Sequence, residues 1–229
     1  MNESIAPKIN IAGTGISNVT LDETIAIFDE WIQKKEKKRI CVTPVNCVVW
    51  ANDNNELRTI YNNADLTLCD GVPLIWASRF LGNGNLRGRV TGLDLLPAFT
   101  AHCYAKGYSM YFLGSSEKTN SILQQKLEIQ YPGIRIAGMY SPPYADRFTD
   151  AENQKIVSLI NQQKPDIVWV SLTAPKQDYW IHDFFAQLDT KIAIGIGGAL
   201  DVMAGNVKRA PAWMQKNGLE WLFRFSQEP

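Results

Sequence analysis

The stretch SMYFLGSSEKTNSILQQKLEIQ, residues 109–130, decides the fold. Residues 109–113 form a short apolar run with the length of a buried strand. Leu113-Gly114-Ser115-Ser116 turns the chain, and residues 117–130 carry a helical pattern. The same unit recurs downstream. Apolar runs at 134–137, 166–172 and 192–196 are separated by helical patterns at 150–163 and 177–188. Strands alternating with helices predict a parallel sheet covered by helices on both faces, a Rossmann-like α/β architecture. Ligands of such sheets gather at the carboxyl ends of the strands. The strand ends here read Leu113-Gly114-Ser115-Ser116, Gly138-Met139-Tyr140, Leu172 through Gln177, and Gly195-Ile196-Gly197-Gly198.

The pattern continues toward the N-terminus with less regularity. Residues 8–12 read as a short strand and Gly13-Thr14-Gly15 as a turn. Thr20 and Glu23 spell a capping box, and Ile25, Phe28 and Ile32 mark one helical face. The basic run 34–39 reads as the solvated end of that helix. Residues 40–43 form the next strand, 56–61 belong to a helix, and 66–69 form a strand ending on Asp70-Gly71. Pro73 opens a helix over 73–81. An Arg- and Gly-rich loop at 86–92 leads to a helix over 93–105. No repeat, linker or low-complexity tract interrupts residues 1–229, which read as a single domain with two intertwined lobes.

Composition removes several function classes. The 23 Lys and Arg residues balance 23 Asp and Glu residues, which argues against a nucleic-acid partner bound by phosphate neutralisation. With only two histidines, His102 and His182, a multi-histidine metal site has no ligands. Cys41, Cys47, Cys69 and Cys103 lack CxxC spacing and read as reduced core thiols. No signal peptide is visible, and no apolar run approaches the ~20 residues that span a bilayer.

Four stretches carry chemistry. The Asp70-Gly71 pair is either a solvated turn or a carboxylate held at the sheet edge. Gly195-Ile196-Gly197-Gly198 is either a tight turn or a phosphate-binding loop whose backbone N–H groups face an anion. Lys176 and Gln177 follow Ala174-Pro175 at a strand-to-helix junction, where a nearby anion would explain a lysine in the first helical turn. Residues 201–209 bring Asp201 close in sequence to Lys208 and Arg209.

Taken together and in order, CDGVPLIWASR, RVTGLDL, YFLGSS, APKQDYWI and GIGGALDVMAGNVKRAPAWMQKNGLEWLFRFSQEP resemble the WecG/TagA/CpsF family of bacterial glycosyltransferases, over nearly the whole chain. The resemblance implies an inverting, metal-independent enzyme without a cofactor. Its donor would be a UDP-sugar: UDP-N-acetylmannosamine, its uronic acid or UDP-glucose. Its acceptor would be a polyprenyl-diphosphate-linked saccharide in cell-surface polysaccharide or teichoic acid synthesis. The resemblance further implies that Asp70 is the general base, with Thr43, Gln177 and Arg224 also catalytic. Substrate-binding positions are expected at Asn46, Gly71, Arg89, Thr91, Gly114, Lys176, Gly197, Gly198, Asp201, Lys208 and Arg209. The sequence departs from the family at Asn46, one place later than in the commonest TxN spelling, at Thr173 in place of Gly, and at Asp178 in place of Glu. Family members carry a basic tail that attaches to the membrane. The resemblance implies a cytoplasmic protein peripheral to the inner face of the cell membrane, attached through that tail, which is expected to be missing here.

Inverting transfer needs a base to take the acceptor hydroxyl proton as its oxygen attacks. A carboxylate on a strand end suits that task, and Gly71 leaves room beside it. The departing UDP needs cations or N–H donors. The apolar residues of the expected final helix, 219–226, would also suit a homo-oligomer. Two alternatives are a non-catalytic UDP-sugar-binding assembly subunit and a nucleotide-dependent oxidoreductase.

Overall fold

The computed structural model describes residues 6–81, 84–220 and 222–223. Its centre is a six-stranded parallel sheet, built from β3 (Lys38–Pro44), β4 (Leu66–Asp70), β5 (Met110–Gly114), β6 (Ile136–Tyr140), β7 (Ile167–Ser171) and β8 (Ile192–Gly195) in the order β4-β3-β8-β7-β5-β6. The C-terminal strand β8 lies beside the N-terminal strand β3, so the two lobes interlock within one sheet. The parallel α/β architecture expected from the strand–helix rhythm is the one observed.

Alternation along the strands explains the layering, because successive side chains point to opposite faces. Ile40, Val42, Leu66, Leu68, Met110, Phe112, Ile167, Trp169, Ile192 and Ile194 face one core. That core is closed by α1 (Leu21–Gln33), α5 (Gly92–Lys106), α6 (Glu117–Gln130) and α9 (Ala199–Ala204). On the other face, Tyr111, Leu113, Val168, Val170 and Ala193 meet α7 (Asp150–Gln163) and α8 (Lys176–Phe184). Cys41, on that same side of β3, meets α2 (Val45–Asp53) and α3 (Asn55–Asn62). The described residues also include α4 (Val72–Phe80) and the short α10 (Ala212–Lys216).

Local signals hold where side chains fix the backbone. The capping box closes α1: the Glu23 N–H donates to Thr20 Oγ1 at 3.3 Å, and the Thr20 N–H donates to Glu23 Oε2 at 2.9 Å. Two readings are corrected. The basic run does not end α1, which stops at Gln33; Lys38 and Arg39 already belong to β3, with the Arg39 N–H donating to Asp65 Oδ2 at 2.8 Å. Gly13-Thr14-Gly15 is not the turn. β1 (Lys8–Ile11) pairs antiparallel with β2 (Thr14–Ser17) around Ala12 and Gly13, at φ 48° and 83°. Two positive-φ residues make the primed hairpin turn that follows strand twist, and alanine at its first position hides the usual Asn-Gly signal. The expected helix over 219–226 lies partly outside the described residues.

The aromatic centre of the larger core is Phe99. It meets Phe28 edge-on at 5.2 Å and Trp169 at 6.2 Å between ring centroids. Its helix, α5, begins at the functional edge described below. Phe99→Ala is expected to lower stability by about 3–5 kcal/mol through lost burial and a residual cavity, read as a fall in the urea unfolding midpoint.

Candidate active site

The carboxyl ends of β4, β3 and β8 open into a cleft of about 410 Å³. Register brings its walls together: Asp70 of β4 pairs with Pro44 of β3, and Cys41 of β3 pairs with Gly195 of β8. Asp70 and Gly71 form one wall, with Asn46 at the start of α2 beside them. Gly197 and Gly198 form another, and Arg89, Thr91 and Gln177 complete the expected residues that line the cleft. Gly71, at φ 124°, starts α4 in a backbone conformation that glycine adopts freely. The loop before α5 is tied to the sheet where the Val90 N–H donates to the Cys69 carbonyl at 2.8 Å.

Gln177 supports the glycine loop from below. Buried in the first turn of α8, it accepts the Gly197 N–H on Oε1 at 2.8 Å. A Cβ on Gly195 would lie 2.7 Å from the Gln177 amide nitrogen, so glycine at 195 is what lets this side chain pass. Ser171 Oγ donates to the Gly197 carbonyl at 2.5 Å. Both backbone groups of Gly197 are therefore occupied, which leaves the Gly198 N–H as the loop's candidate donor to an anion.

The other expected residues lie elsewhere. Thr43 is fully buried on the Cys41 side of β3 and does not line the cleft, whereas Val42, on the side of the larger core, contributes to its lining. Lys176 Nζ donates to the Ala145 carbonyl and sits 4.0 Å over the Phe148 ring, away from the cleft. Asp201 accepts Ser115 Oγ at 3.0 Å and Thr119 Oγ1 at 2.8 Å, which joins α9 to the start of α6. Gly114 is required by a close approach: its Cβ would lie 2.1 Å from the Ser171 carbonyl oxygen. Lys208 and Arg209 border a small adjoining recess. Arg224 lies outside the described residues.

Two acidic residues were missed. Arg89 donates from Nη1 to Glu220 Oε2 at 2.6 Å, and its Nη2 lies 3.5 Å from Asp94 Oδ2. Arg209 reaches Asp94 Oδ1 at 2.7 Å and Glu220 Oε1 at 3.4 Å. These four groups form a closed ring of alternating charge. Thr91 caps α5 and donates to Asp94 Oδ2 at 2.9 Å. The spacing of Thr91 and Asp94 is the capping signal that could have found Asp94. Glu220 is joined to Arg89 across 131 residues, and no local pattern announces that pairing.

A polar cluster lies behind Gln177. Asp178 is buried and accepts the Tyr61 hydroxyl at 3.1 Å, with the Cys41 thiol as a second hydrogen-bond partner and Cys47 nearby. Burial raises its carboxyl from 3.8 to about 7, against the opposing pull of the Tyr61 and Cys41 hydrogen bonds. The four cysteines are free and buried. Burial pushes the Cys47 and Cys69 thiols up to about 12 and raises those of Cys41 and Cys103.

With this geometry in place, the known proteins that resemble the chain can be set beside it. Residues 9–229 match the family described as Glycosyl transferase WecG/TagA/CpsF. The chain belongs to this family. An N-acetylglucosaminyldiphosphoundecaprenol N-acetyl-beta-D-mannosaminyltransferase from Bacillus spizizenii is 30% identical over 179 residues, covering 78% of the chain and 67% of the relative. A Staphylococcus aureus protein of the same name is 26% identical over 219 residues, covering 95% of the chain and 84% of the relative. The chain is therefore a glycosyltransferase, which sets aside the oxidoreductase reading.

A raised acid pKa in the folded state means stability that is fully present below the unfolded value and lost as pH rises through the folded one. Asp178 is thus expected to withdraw stability between about pH 4 and about pH 7. Urea midpoints of Asp178→Asn and wild type, compared across that window, should diverge in favour of the variant as pH rises. A constant difference would show that Asp178 does not titrate there.

Proposed function

We propose that the chain transfers N-acetylmannosamine from its UDP-sugar to an N-acetylglucosaminyl-diphospho-polyprenol acceptor, with inversion at the anomeric carbon and without a metal ion. The observation that carries this reading is the position of Asp70. Its carboxylate stands on a strand end at the wall of a cleft whose other walls offer a glycine loop and an arginine, in a member of a glycosyltransferase family. The names of the relatives above support this choice of sugar and acceptor over the uronic acid or glucose donors.

In this reading Asp70 accepts the proton of the acceptor hydroxyl. The hydroxyl oxygen forms its bond to the anomeric carbon while the bond from that carbon to the β-phosphate oxygen breaks, and UDP departs with the electron pair. The charge developing on UDP falls to Arg89 and to the Gly198 N–H. Preorganised donors of this kind supply electrostatic stabilisation without rearranging during the step. Among the described residues no group of three or more His, Cys, Asp or Glu side chains is placed to hold a metal, and no helix is long and apolar enough to cross a membrane. A polyprenyl acceptor would bring the enzyme to the membrane surface.

Asp70→Asn should lower turnover by about 10²–10⁴-fold, the usual contribution of a general base, while UDP still binds. UDP release with detergent-solubilised lipid acceptor measures the first and calorimetric titration the second; near-normal turnover would remove Asp70 from the mechanism. Activity is also expected to survive EDTA. Loss on chelation, restored by Mg²⁺ or Mn²⁺, would require a metal-assisted step.

A further inference from the structure

The charge on the cleft wall does not suit the donor as it stands. Among the described residues lining the cleft, Arg89 is the one cation, and the lining also holds two carboxylates, Asp70 and Glu220. A nucleoside diphosphate sugar carries about two negative charges, and like charges disfavour its entry. The ring formed by Arg89, Glu220, Arg209 and Asp94 is neutral, with two arginines against two acids.

The two acids are held differently. Asp94 belongs to the first turn of the 15-residue helix α5 and is fixed by Thr91. Glu220 comes from the segment 211–220, in which α10 has five residues and none buried, and Glu220 itself is helical. This segment reaches Arg89 through the Gln215 carbonyl at 3.3 Å, Gln215 Oε1 at 3.2 Å and the Glu220 carboxylate. A Cβ on Gly218 would lie 3.1 Å from Val72 Cβ and 3.4 Å from Trp76, so the segment passes close to α4 there. Each Glu220 carboxylate oxygen faces a different guanidinium, Oε2 on Arg89 and Oε1 on Arg209. Two phosphoryl oxygens could be held in the same way, because guanidinium groups bind carboxylate and phosphate alike.

We propose that Glu220 occupies a diphosphate subsite formed by Arg89 and Arg209, and that the donor's phosphates and the Glu220 carboxylate compete for this pair. The proposal rests on the UDP-sugar reading above and adds a consequence to it. Donor binding releases segment 211–220, and that release turns the ring from neutral to positive. By linkage, whatever loosens the segment tightens the nucleotide to the same degree.

The test uses the whole chain, with UDP as the probe. Wild type, Glu220→Gln and the charge-conserving Glu220→Asp are titrated calorimetrically, and cleavage within 205–220 is followed by limited proteolysis. Glu220→Gln should bind UDP about tenfold more tightly, equivalent to about 1.4 kcal/mol, and should be cleaved rapidly without ligand. Glu220→Asp should stay within about threefold of wild type. UDP should speed cleavage of the wild-type segment. Unchanged or weaker UDP binding by Glu220→Gln, or protection of the segment by UDP, would show that Glu220 supports the arginines rather than competing for them, and would overturn the proposal alone. A wild type that binds no UDP would overturn the UDP-sugar reading and this proposal with it.

Discussion

The functional edge depends on one pairing, the insertion of β8 between β3 and β7. Parallel strands need long crossovers, so neighbours in a parallel sheet are often distant in sequence. Here Lys38–Cys41 of β3 lie against Ile192–Gly195 of β8. That register sets the Gly195–Gly198 turn beside the end of β3, while the β3–β4 register holds Asp70 on the other side. A one-residue slip would turn every side chain of β8 to the opposite face. Ile192 and Ile194 would then leave the larger core and Ala193 would enter it, so core packing also fixes the geometry of the cleft.

Electrostatics at the cleft follow from how few charges the fold places there. Most polar side chains near the strand ends are already engaged. Asp201 receives two hydroxyls, Lys176 is turned toward the Ala145 carbonyl, and Gln177 is committed to Gly197. The cleft walls themselves carry the Asp70 carboxylate, the Arg89 guanidinium in its ring with Glu220 and Asp94, and the glycine loop. The arginine shares its neighbours with Arg209, so the two act as a pair rather than as separate cations.

The sequence was legible where local physics decides the outcome. The strand–helix rhythm after residue 109 reports a sheet buried on both faces, and Asp70 and the Gly195–Gly198 loop are placed at strand ends by the same pattern. It was less legible where a residue's role depends on direction. Lys176 sits at the expected helix start, yet its long side chain follows the Phe148 ring. Thr43 sits at the expected strand end, yet alternation turns it inward. The primed hairpin turn at Ala12-Gly13 lacks the usual residue at its first position. The Arg89–Glu220 pair joins distant segments, and no short window of sequence contains it.

The four buried thiols give the molecule internal reporters. Cys41 of β3 and Cys47 on the buried face of α2 lie in the cluster they form with α3, Cys69 lies in the cluster packed under α4 and the β1–β2 hairpin, and Cys103 lies on the buried face of α5. Burial holds each of them in the unreactive thiol form, so a thiol reagent meets them only when the layer above opens. Alkylation rates resolved by mass spectrometry would rank the opening free energies of three separate layers in the unmodified enzyme, without an introduced label.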